Sequence, residues 1–156
     1  MKKLFYFLSF GVLLGTLAMI GCSNDDDDGP TIEEQQINAL EGTWTTGGDT
    51  NNVRQRTDPG PGDWSNFTMT FTSGGQVSVN GESTEVNVFD FSSTTYAVSG
   101  DRADQFQIEI GDDVLSVTIS SATAIVITFT LDDANQTIGR TKSVNGLWTF
   151  NLTRSQ

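Results

Sequence analysis

The sequence predicts an all-β domain, an antiparallel barrel of eight or nine short strands with one short helix ahead of it. Three observations carry this reading. From residue 43 onward apolar residues recur at every second position, as in Phe67-Thr68-Met69-Thr70-Phe71 and Phe106-Gln107-Ile108-Glu109-Ile110. That period buries one face of a strand and leaves the other wet. Turn residues separate these runs at close spacing, among them Ser73-Gly74-Gly75, Asn80-Gly81, Gly111-Asp112-Asp113 and Asn145-Gly146. A helical period occurs in the folded part just once, over residues 31–40. A β-sandwich meets the same observations and stands as the alternative.

The elements follow in order. Residues 1–21 form a signal peptide. Lys2 and Lys3 precede an apolar run over residues 4–17, and small residues lead to Cys22. A membrane-spanning helix is the competing reading, but the run is about as short as a span can be, roughly 17 residues. Residues 22–30 read as an acidic tether. The aspartates at 25–28 repel one another and stay extended. They lack the spaced ligands and turn glycine of a calcium loop.

Residues 31–156 form the folded domain. Thr31 and Glu34 have capping-box spacing, Ile37 and Leu40 share a face, and Gly42 ends the helix. Thr43-Trp44-Thr45 opens the first strand, and residues 48–63 read as a loop. Strands follow around Phe67–Phe71, Val77 and Val79, Val86 to Phe91, Tyr96 and Val98, and Phe106 to Ile110. Further strands carry Leu115 to Ile119, Ile125 to Leu131, and Trp148 to Leu152. The expected inward set is Trp44, Phe67, Met69, Phe71, Phe106, Ile108, Ile110, Phe129 and Phe150. An eight-stranded barrel is just wide enough to be filled by side chains or to hold one small ligand. Residues this large favour filling, with a modest apolar pocket as the other outcome.

Met19-Ile20-Gly21-Cys22 resembles the lipobox of bacterial lipoproteins. That resemblance implies a diacylglycerol on Cys22, cleavage before it and a lipid anchor in the membrane. Two or more chains hold stably, at about 0.8 kcal/mol per buried methylene. Acids just after the cysteine resemble the export signals of surface lipoproteins in Bacteroidota, which implies a surface-exposed, outer-membrane address. Gly42-Thr43-Trp44, after a short helix, is similar to the Gly-x-Trp opening of lipocalin-like domains, in which the tryptophan packs across the closed end of an up-and-down barrel. On that resemblance the folded part is a lipocalin-like β-domain. Packing in any β-domain core is the other reading of Trp44.

Composition narrows the function. The chain carries 20 acidic and 8 basic residues, a net charge of −12. Loss of Lys2 and Lys3 with the signal deepens this to about −14. Nucleic acid is therefore not an expected partner, since phosphate binding needs clustered cations. With no histidine and one cysteine there is no catalytic triad, no Cys-His pair and no internal disulfide. The sequence therefore predicts a non-enzymatic protein without cofactor or metal. Asp112-Asp113 and Asp132-Asp133 read as turn residues, with a weak calcium site as the lesser alternative.

Candidate ligand-binding residues are Trp64, Arg54, Arg56 and Trp44. Trp64 follows the stiff loop Pro59-Gly60-Pro61-Gly62-Asp63. Exposed, it would stack on a sugar or dock a partner; buried, it would staple the loop to the barrel end. Arg54 and Arg56 are scarce cations that either meet a carboxylate ligand or pair with local aspartates. The expected role is binding or structural, by a small apolar ligand in the barrel. The alternative is a surface module for glycan or protein that uses loop aromatics.

Overall fold

The computed structural model describes residues 29–86, 88–132 and 145–156. Cys22, the aspartates at 25–28 and Asp133 lie outside the described residues.

The fold is an all-β, nine-stranded antiparallel barrel, nearly closed, with one short N-terminal helix. The helix α1 spans Ile32–Leu40. Its capping box forms as the spacing predicts: Glu34 N–H donates to Thr31 Oγ1, and Thr31 N–H donates to Glu34 Oε2 at 2.8 Å. Eleven stretches of strand follow. They are β1 (Gly42–Thr45), β2 (Val53–Gln55), β3 (Asp58–Pro59), β4 (Thr68–Phe71), β5 (Gln76–Asn80), β6 (Ser93–Thr95), β7 (Ala97–Ser99), β8 (Gln105–Ile110), β9 (Asp113–Ser121), β10 (Ala124–Leu131) and β11 (Gly146–Arg154).

Nine of them form one path, β6-β5-β4-β1-β11-β10-β9-β8-β7. Its two ends are consecutive in sequence, joined through Tyr96. The chain thus pairs with β5 through β6 and with β8 through β7. One curled sheet, rather than two stacked ones, replaces the sandwich alternative. Closure in this way leaves little free strand edge.

The β2–β3 hairpin stands off this path. β1 and β2 occupy successive stretches of the same edge of β11: Thr45 pairs with Thr153, then Val53 with Phe150. Residues 46–52 bulge out between them, and Asn52 Nδ2 closes the bulge on Thr46 O at 2.8 Å. The expected plain loop over 48–63 therefore contains a hairpin. It escaped the period-two signal because its strands are only three and two residues long. Of the strand expected over Val86–Phe91, the described residues 86 and 88–91 form none. Val88 and Phe89 are adjacent and both buried, which breaks the in-out alternation of a strand. Glu82 Oε1 instead accepts the N–H groups of both Val88 and Phe89, each at 3.0 Å.

All nine expected inward residues are buried, in one continuous cluster. The barrel has two unlike ends. Helix α1 covers one, anchored by Gln36, whose Nε2 donates to the carbonyls of Gly100 and Arg102. Trp44 Nε1 donates to Leu40 O at 2.7 Å there, and the Arg154 guanidinium lies 4.6 Å over its ring. Arg154 also donates to Ala39 O, tying the last strand to the helix. The bulge at 46–52, the β2–β3 hairpin and the segment 81–92 gather at the other end, the loop end.

Candidate functional site

The loop end is sealed by rings. Trp64 packs edge-on against Phe67, Trp148 and Phe150, with centroids 5.5–5.8 Å apart. Its Nε1 donates to Pro61 O at 3.0 Å, and the side chain is fully buried. Trp64 therefore staples its loop to the barrel and presents no face to solvent. The preceding turn is set by Asp63, whose Oδ1 accepts Ser65 N–H at 2.9 Å. That bond holds the Asp63 carboxyl below the usual carboxylate range.

Phe89 closes the cluster from the opposite loop. Its ring touches Phe67, Phe91, Phe129 and Phe150 at 5.4–5.9 Å. Two glycines let the loops approach this closely. A Cβ on Gly62 (φ 87°) would collide with Ser83 Oγ, and one on Gly81 (φ 69°) with the Asn66 carbonyl. The offset and edge-on geometry is the one aromatic rings prefer.

Two grooves flank this seal. One, of about 400 Å³, runs along Val79, Glu82, Ser83, Val86, Phe89 and Phe91. The second, of about 380 Å³, lies between Thr94 and the β8–β9 turn, with Ile110, Asp112 and Asp113 on its wall. Asp90 and Phe91 belong to both, so the two form one trench. It follows the stretch where β6 and β8 are not paired. The β7–β8 ladder stops at Ala97 and Glu109, and the β5–β6 ladder at Ser78 and Ser93. Phe89, Phe91 and Ile110 give the trench apolar surface, but Asn80, Ser83, Ser92, Thr94 and the carboxylates of Glu82, Asp90, Asp112 and Asp113 line it too, which disfavours an anion.

Tyr96 sits at the seam itself. Its hydroxyl donates to Thr72 O at 3.1 Å. Burial pushes its pKa up, and the negative charge of Glu41 adds to the shift. A third groove, about 510 Å³ and shallow, lies nearer the helix end between Gly100, Phe106 and Thr118.

The expected site residues do not converge. Trp44 lies at the helix end and Trp64 inside the loop-end cluster, both fully buried. Arg54 and Arg56 are exposed on the β2–β3 hairpin. They do not pair with local aspartates: among the described residues the ion pair present is Arg102–Asp104, at 2.8 Å. Asp112 and Asp113 occupy the β8–β9 turn and its exit, both exposed. Among the described residues no three His, Cys, Asp or Glu side chains gather in a way that would hold a metal ion.

Phe89 and Glu82 are the residues that sequence reasoning missed. No local pattern marks a carboxylate that reaches amides six and seven positions ahead. The run Val86 to Phe91 looked like a strand because its apolar residues are dense. No protein-family model, curated protein or solved structure matches this chain.

Proposed function

We propose that this chain is a lipid-anchored, non-catalytic binding protein of the outer membrane, with a lipocalin-like barrel that takes a small, largely apolar ligand at its loop end. The observation that carries the ligand reading is the trench over Phe89 and Phe91. Its two parts each fall near the lower bound of small-molecule sites, about 300 Å³. The barrel interior is a poorer place for a ligand. Trp44, Phe67, Met69, Ile108, Ile127 and Phe150 occupy it and are fully buried.

The lipocalin-like reading is supported by the position of Trp44, which follows the helix and packs at the end the helix covers. The anchor reading rests on Cys22 and its lipobox.

N-phenyl-1-naphthylamine, a neutral apolar fluorophore, is the probe for the ligand reading. Saturable binding that Phe91→Asp weakens at least tenfold supports the trench. Binding untouched by Phe91→Asp, or no saturable binding, rejects it. Mass spectrometry of the N-terminus in a Gram-negative host tests the anchor: Cys22 carrying diacylglycerol is the expected result, and an unmodified Cys22 refutes it.

A further inference from the structure

Among the described residues Arg56 is the only non-glycine with a positive φ, at 60°. It is the first of the two residues that join Gln55 to Asp58. Thr57 after it lacks a positive φ, which is the pattern of a type II′ turn. Glycine is the usual residue at that position, and a side chain there strains the backbone.

This strained side chain has a built seat. A Cβ on Gly146 would stand 2.8 Å from Arg56 Nε and 3.3 Å from its Cγ, so the stem lies across bare backbone. Gly146 itself has φ 116°, closed to other residues. Arg56 N–H donates to Leu147 O at 2.6 Å and pins the turn to β11. Among the described residues the guanidinium nonetheless meets no carboxylate. Arg102 pairs with Asp104 and Arg154 lies on Trp44, whereas Arg54 reaches only the Thr57 carbonyl, at 3.5 Å. An acidic chain thus holds two exposed arginines on one hairpin at its loop end, neither in an ion pair among the described residues.

We propose that Arg56, with Arg54 beside it, is an oxyanion-binding tip that takes a single carboxylate, sulfate or phosphate group of a small molecule. The planar guanidinium fork matches two oxygens of such a group. The net charge of −12 selects a compact ligand. A polyanion laid on this surface would bring its further charges within a screening length of the acidic remainder, about 8 Å at physiological salt. A small anion meets the tip alone. This tip stands independently of the trench, whose rim is acidic.

The test is nitrogen-15 NMR of the arginine Nε–Hε groups and hairpin amides during titration with sodium acetate, sulfate and phosphate at constant ionic strength. A saturating shift is expected at Arg56 and none at Arg102, whose Nε already donates to Asp104 at 3.0 Å. The three salts show which oxyanion is preferred. R56K keeps the charge without the fork and should bind about tenfold more weakly. R56G should abolish the saturating response while raising the melting temperature by roughly 3 °C, since glycine adopts positive φ without strain. An equal, non-saturating drift at every arginine means an adventitious ion only and overturns the proposal. A saturating response that survives R56G overturns it too.

Discussion

Replacing Phe89 with alanine removes the ring through which the 81–92 segment holds to the barrel. The side chain is 5% exposed and touches four other rings. Phe→Ala in a rigid core costs about 3–5 kcal/mol, the transfer of the ring plus the cavity left behind. Phe89 itself lies outside the strands, so the loop can settle partly into the space. The expected loss is therefore at the low end, about 3 kcal/mol. That is a large fraction of a total stability of roughly 5–15 kcal/mol. Urea denaturation followed by tryptophan fluorescence measures it, because Trp64 and Trp148 lie in the same ring cluster. The midpoint should fall with the slope unchanged. The vacated space should also tighten N-phenyl-1-naphthylamine binding. A loss below about 0.5 kcal/mol, the range of ordinary surface substitutions, would refute the claim that Phe89 seals the loop end.

Three further outcomes follow from the geometry. Arg154→Leu removes the cation from the Trp44 face and the bond to Ala39 O, and should lower stability by about 1–2 kcal/mol in the same assay. Gly62→Ala forces a side chain onto a left-handed backbone and into Ser83, and should cost at least about 2 kcal/mol; a neutral result would mean the two loops do not touch. Tyr96 gives an alkaline signature. Its folded pKa is raised, so its contribution is complete below the ordinary value near 10 and is lost as pH rises through the folded value. In a chain beginning at Cys22 it is the only tyrosine, because the other is Tyr6. Phenolate absorbance should therefore appear above pH 10, with loss of stability beginning over the same range.

How much of this was legible follows the physics of each element. The alternating strands were readable because period two is set by which face meets the core, and every expected inward residue is buried. The capping box was readable because it is local, spanning Thr31 to Glu34. The β2–β3 hairpin was hidden because β2 gains its partner β11 from about a hundred residues away. The burial of Trp64 was open for the same reason: the rings around it arrive from β11 and from Phe67. Arg56 was visible as a scarce cation, but its positive φ and its seat on Gly146 depend on a pairing that no local pattern records.

The central claim is that the loop end, and not the barrel axis or the helix end, takes the ligand. Backbone amide shifts during an N-phenyl-1-naphthylamine titration test it most directly. Saturating shifts centred on Val79, Glu82, Phe89, Phe91 and Ile110 are predicted. Shifts centred instead on Gly100, Phe106 and Thr118, or on Trp44, would contradict it.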